Sequence, residues 1–158
     1  MNRIKKLVIA NRGEIAVRII KTARNLGIKT VAVYAEDDGR SLHVSQADEA
    51  VLLKGKSLQE TYLNQDKIIE IALEKGAQAI HPGYGFLSEN ASFSEKVEKA
   101  GLIFVGATSE QIRLMGEKKQ ANQFVEKLGI PIIPSVSGSE KEILKALENM
   151  EFPVLVKA

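Results

Sequence analysis

The stretch that decides the fold is Ala79-Ile80-His81-Pro82-Gly83-Tyr84-Gly85-Phe86-Leu87-Ser88-Glu89-Asn90. Ala79-Ile80-His81 reads as a short apolar strand, Pro82 cannot donate to a ladder, and Gly83 and Gly85 permit backbone angles closed to other residues. The chain must turn sharply there. Ser88, Asn90 and Ser92 are all candidate N-caps, and Ser92 with Glu95 has the spacing of a capping box ahead of the Phe93, Val97, Ala100 stripe. A helix is therefore expected within a few residues. In an open parallel sheet such a strand-turn-helix corner lies at the carboxyl end of the strands, where ligands bind and free amides can meet an anion. The plainer alternative is a tight turn with an aromatic side chain tucked beneath it.

The same alternation extends in both directions. Leu7-Val8-Ile9-Ala10 is a continuous apolar run of the kind buried on both faces of a parallel sheet. After Gly13, residues Ile15, Ala16, Ile19, Ile20, Ala23 and Leu26 recur at helical spacing, and Gly27 marks a stop. Thr30 to Tyr34 is a second strand, closed by the turn chemistry of Glu36-Asp37-Asp38-Gly39. Ala50 to Leu53 is a third, followed by a helix over Ile68, Ile69, Ala72 and Leu73 that Asn64 can cap and Gly76 can end. Ile80 belongs to the fourth strand, and Leu102-Ile103-Phe104-Val105 forms the fifth. Strands and helices alternating at these lengths predict an α/β fold, a doubly wound parallel sheet with right-handed crossovers.

Past Val105 the pattern changes. A short helix is predicted from Ser109 to Met115, and a second carries Ala121, Phe124, Val125 and Leu128 before Gly129. Pro131 and Pro134 impose an extended stretch, Glu140 to Met150 reads as an amphipathic helix, and Pro153-Val154-Leu155-Val156-Lys157 reads as a strand. An apolar strand at the chain's end is an edge liability, so residues from about 115 onward are expected to open a second domain that is cut short.

Composition narrows the function classes. With 44% hydrophobic and 27% charged residues the 158-residue chain falls among globular proteins, not disordered ones. Its 22 basic and 20 acidic residues are spread along the chain, so no basic field is available for nucleic acid or an anionic membrane. There is no cysteine and no run of membrane-spanning length, which together suggest a cytoplasmic setting.

Three features could carry chemistry. Asn11-Arg12-Gly13-Glu14 stands where a dinucleotide fold places its phosphate loop, but it has one glycine and lacks the G-x-G-x-x-G spacing. Glu36, at the end of the second strand, is where a dehydrogenase would hold a ribose, and an acidic residue in a turn is weak support for that role. Lys118 falls three residues before Ala121, on the buried side of its helix and in the first turn, where a cation opposes the helix dipole. Lys157 shares a strand face with Leu155, and a buried ammonium there needs an anionic partner such as a phosphate. Either lysine could instead reach solvent while its stem covers apolar surface. His43 and His81 lack a second histidine at metal-ligand spacing and read as structural groups.

Four stretches together resemble one family. Ile9-Ala10-Asn11-Arg12-Gly13-Glu14-Ile15-Ala16, His81 to Asn90, Ile112-Arg113-Leu114-Met115-Gly116-Glu117-Lys118 and Phe152-Pro153-Val154-Leu155-Val156-Lys157-Ala158 closely resemble biotin carboxylase, the ATP-grasp component of biotin-dependent carboxylases. The resemblance implies a Rossmann-like domain over 1–114, which in this family binds no dinucleotide, and the truncated start of an ATP-grasp domain over 115–158. By that resemblance Lys118 and Lys157 match the lysines that contact ATP, and Tyr84 and Gly85 match the turn lining the biotin end of the site. No catalytic residue and no magnesium ligand is implied within these residues. The implied reaction uses magnesium-ATP to activate bicarbonate as carboxyphosphate and carboxylates biotin on a carrier protein (the biotin carboxyl carrier protein or domain). A carboxyltransferase then serves the final acceptor, which could be acetyl-CoA, propionyl-CoA, pyruvate or urea. A homodimer is also implied, although Lys21 and Asn25 replace a basic and acidic pair that forms dimer contacts in some relatives. Two further readings stay open: another ATP-grasp ligase of the carbamoyl-phosphate or purine-pathway type, and a non-catalytic docking piece.

Overall fold

The computed structural model describes residues 4–133, 136, 138–150 and 152–156, with the side chains of Lys118 and Lys119 outside that description. The chain divides near Lys118 into two compact units.

In the first unit β1 (Lys6–Ile9), β2 (Lys29–Tyr34), β3 (Glu49–Leu52), β4 (Ala79–His81) and β5 (Ile103–Phe104) form one sheet of order β3-β2-β1-β4-β5. Every pairing is parallel, with Val8 beside Val31 on one side and Ile80 on the other. Between the strands lie α1 (Gly13–Asn25), α2 (Leu42–Gln46), α3 (Gln65–Glu74) and α4 (Ala91–Lys99), and α5 (Ser109–Gly116) follows β5.

Strand alternation divides the core into two layers. Leu7, Ile9 and Ala79 face Ala16, Ile20 and Ala23 of α1. On the other face Val8, Val31, Val33 and Ile80 pack with Ile68 and Ile71 of α3 and with Phe93 and Val97 of α4. Phe93 meets Phe104 of β5 edge to face, with ring centroids 5.9 Å apart. Each fully buried Val, Ile or Phe of this kind contributes about 1.5 to 3 kcal/mol by leaving water, so the β1–β4 centre is the most strongly held part of the sheet.

The expected alternation is observed, with boundaries shifted by a residue or two. Two local expectations need correction. The cap of α4 is Asn90, whose Oδ1 accepts the Phe93 N–H at 2.9 Å, not Ser92. Ser92 already lies inside the helix, where its hydroxyl cannot reach the free amides, and Glu95 instead pairs with Lys99 and Arg113. The segment between Gly39 and Ala50, to which no element was assigned, contains α2, a single short helix that seats His43 in the core.

The second unit contains α6 (Lys118–Lys127) and α7 (Glu140–Leu147). At the start of α7, the Glu142 carboxylate accepts from both the N–H and the hydroxyl of Ser139. The expected strand at 153–157 is not seen among its described residues. Val154, Leu155 and Val156 pair with no neighbouring strand, and a strand exists only through such a ladder. Leu155 is instead 79% exposed.

Candidate functional site

The strand order reverses between β1 and β4, because the chain runs outward from β1 to β3 and then returns to β1's other side. The carboxyl ends of these two strands therefore border the crevice where doubly wound sheets bind ligands. Asn11-Arg12 leaves one end, and Pro82 to Gly85 leaves the other.

The two turns grip each other. Asn11 is 1% exposed, and its Nδ2 donates to the Pro82 carbonyl at 2.8 Å and the Tyr84 carbonyl at 2.9 Å. Its Oδ1 accepts from the Arg12 N–H at 2.9 Å, so the whole side-chain amide is engaged with backbone. The turn that a dinucleotide fold would use for phosphate is thus committed to its own chain. Gly83 packs directly on this amide: a Cβ there would stand 2.7 Å from Asn11 Nδ2 and 2.8 Å from Ile15 Cγ2. Its φ of +69° independently favours glycine. The Gly83 N–H donates to His81 Nδ1 at 3.0 Å. Burial lowers the His81 pKa, and the neutral ring keeps the lone pair which that bond requires.

The aromatic residues of the loop separate by function. Phe86, at φ +42°, turns inward and stacks on Tyr62 with centroids 5.3 Å apart. A left-handed conformation in a bulky residue costs about 1 to 2 kcal/mol, which the stack and the burial of neighbouring Leu87 offset. Tyr84 points the other way and is 59% exposed. Its hydroxyl donates to Glu14 Oε1 at 2.6 Å, and that carboxylate raises the phenol's pKa. The expectation of an aromatic tucked under the turn therefore fits Phe86, whereas Tyr84 is presented outward.

A second network braces the opposite side. The Tyr62 hydroxyl donates to Asp38 Oδ2 at 2.6 Å and accepts the Ala35 N–H at 3.0 Å, while Arg12 pairs with Asp38 Oδ1 at 3.1 Å. Burial, then the Asp38 hydrogen bond, push the Tyr62 phenol well above its usual range. His43 lies fully buried nearby. Burial lowers its pKa against the Asp38 carboxylate and the Val33 backbone, which favour the proton, and Arg12 also disfavours it. On the α1 face, beside His81, Gly83 and Tyr84, an open apolar hollow of about 550 Å³ runs past Arg18 and Ile19.

Of the sequence-predicted site residues, Tyr84 and Gly85 sit at this crevice. Lys118 begins α6, but its side chain lies outside the described residues, as does all of Lys157. Asp38 and Tyr62 emerge only from the structure, as do the partners of Asn11 and Glu14, which the sequence marked only as a possible phosphate turn. The signal that could have located them is topological, since placing β4 beside β1 brings residues 11–14 against 82–85.

The family model described as biotin carboxylase, N-terminal domain, matches residues 3–112. The chain is similar to the mitochondrial methylcrotonoyl-CoA carboxylase subunit alpha of Dictyostelium discoideum, 49% identical over 98% of this chain and 23% of that protein. It is also similar to biotin carboxylase 1 of Bacillus subtilis strain 168, at 47% identity over 98% of this chain and 35% of that one. Among solved structures, the biotin carboxylase domain dimer of Hydrogenobacter thermophilus 2-oxoglutarate carboxylase, in complex with MgADP, ADP and bicarbonate, matches with a TM-score of 0.88. That match has 41% identity and covers 97% of this chain and 34% of that one. The chain thus spans about a third or less of these relatives.

Proposed function

This chain belongs to the family of biotin carboxylase N-terminal domains, and from that premise we propose that it is the N-terminal part of a biotin carboxylase that uses ATP and bicarbonate to carboxylate biotin on a carrier protein. The observation that carries this reading is near-half identity to biotin-dependent carboxylases along almost the whole chain, well past the 3–112 match. On this reading residues 1–114 are the Rossmann-like domain and 115–158 begin the ATP-grasp domain. The change of compact unit near Lys118 supports that division.

Tyr84 and Gly85 line the biotin side. Their position at the β1–β4 crevice, with the phenol turned outward, supports the assignment. Lys118 and Lys157 are assigned to contact with the ATP phosphates, an assignment supported by the motifs they complete and by the chemistry of phosphoryl transfer, which relies on positioning and charge stabilisation. Magnesium is assigned to none of these residues. The partners on this reading are the biotin carboxyl carrier, a carboxyltransferase and a second copy of the enzyme, in the cytoplasm. The acceptor is a property of the transferase, so acetyl-CoA has no priority over propionyl-CoA, pyruvate or urea.

The test is ATP cleavage by the full-length protein. Phosphate release that requires both bicarbonate and biotin is expected. Release supported instead by ammonia or an aminoimidazole, with biotin inert, would assign the chain to another ligase.

A further inference from the structure

Tyr84 presents a problem that its surroundings solve in an unusual way. It is 59% exposed, so packing does not fix its ring, yet a side chain that meets a ligand binds more tightly when its rotamer is already set. The backbone beneath it is fixed by Asn11, through the carbonyls of Pro82 and of Tyr84 itself. The ring is held at its far end by one group, Glu14 Oε1, at 2.6 Å from the phenol oxygen. Glu14 reaches it from the first turn of α1, and α1 is anchored in the core by Ala16, Ile20 and Ala23. The exposed phenol is therefore referenced to the rigid sheet through an element 70 residues away in the chain.

The hydrogen bond also sets what Tyr84 offers. A phenol has one hydrogen, and here it is committed to a carboxylate that only accepts. What remains for a ligand is the ring face and an oxygen lone pair, which suits a donor such as the N–H of a ureido ring. We propose that Glu14 is a positioning residue for biotin, holding the Tyr84 ring in place and turning its oxygen into an acceptor. This rests on the assignment of Tyr84 to the biotin side.

The experiment is steady-state kinetics of the full-length enzyme with free biotin, measuring KM for biotin and for ATP separately. Glu14 is exposed and supports no core contact, so its variants are expected to fold. Glu14→Ala is expected to raise the biotin KM about fivefold, the scale of one ordinary hydrogen bond at an exposed site, with the ATP KM unchanged. Glu14→Gln, which keeps an acceptor oxygen, restores most of the loss. In a Tyr84→Phe background Glu14→Ala adds nothing further. A biotin KM unmoved by Glu14→Ala, while Tyr84→Ala raises it, would overturn the role of Glu14 and leave the biotin-side assignment standing. An equal rise in both backgrounds would show Glu14 acting other than through the phenol and also overturn it. A biotin KM unmoved by Tyr84→Ala would remove the assignment itself.

Discussion

Replacing Gly83 by alanine tests the mutual grip of the two turns. The substitution acts through two separable costs. At φ +69° an L-residue pays about 1 to 2 kcal/mol for its left-handed conformation. The new methyl would also lie 2.7 Å from Asn11 Nδ2 and 2.8 Å from Ile15 Cγ2, closer than carbon atoms tolerate. Asn11 can yield only by releasing the carbonyls of Pro82 and Tyr84, each bond contributing about 1 kcal/mol. The total is about 3 to 4 kcal/mol, a large share of a typical domain's stability. Gly85 is the internal control: its φ is also +69°, but no atom lies within 4 Å of the Cβ it would gain. Gly85→Ala should therefore cost about 1 to 2 kcal/mol, from strain alone. Urea unfolding followed by far-ultraviolet circular dichroism suits a chain without tryptophan. A difference of about 2 kcal/mol between the variants separates their midpoints by about 1 M. Equal losses in the two variants would refute the claim that Asn11 is locked in place.

Asn90→Ala should destabilise by about 1 kcal/mol, while Ser92→Ala, inside α4, changes little; the same unfolding assay compares them. Acid should weaken the fold in two stages. His43 is neutral in the folded core and charges at its ordinary 6.5 when unfolded, so stability held above that pH is lost as pH falls toward the lowered folded value. His81, whose pKa burial also lowers, contributes to the same stage, so His43→Leu should reduce it without abolishing it. Asp48, lowered to about 2 by its hydrogen bond to Lys29 and those to Thr30, stabilises above its ordinary 3.8 and loses that contribution as pH falls toward 2; Asp48→Asn should reduce the second stage, to which other paired carboxylates such as Glu49 also contribute. In the full-length enzyme Lys118→Ala and Lys157→Ala are each expected to weaken ATP at least tenfold, about 1.4 kcal/mol, by calorimetric titration, and unchanged affinity would count against both.

Much of the fold was legible because each strand carries its own apolar run and each helix its own stripe, so Val8, Val31 and Ile80 declared themselves without knowledge of their neighbours. Asn64 was legible as a cap for the same reason: its partner, Lys67, is three residues away. Local rivals were harder to rank. Asn90 and Ser92 both fit a cap, and only the true helix start decides between them. The helix at Leu42–Gln46 escaped because five residues span too few turns to show a period. Both turns of the site were visible as turns, but not the contact between them. Nothing in Asn11 or Glu14 as residues announces a partner 70 or more positions away, since that pairing follows from strand order. Tyr62 and Asp38 meet for the same reason.

The amide of Asn11 closes on carbonyls 71 and 73 residues downstream. During synthesis, the first turn can acquire its final shape only after the ribosome has released the segment through Gly85, and after the third crossover has returned it to the middle of the sheet. Until then Asn11 and the edge of β1 remain open to water, leaving this end of the nascent chain accessible to chaperones or proteases throughout that interval. The rim at the strands' carboxyl ends and the middle of the sheet are therefore completed in one event, and an intact rim reports that the molecule's centre has closed.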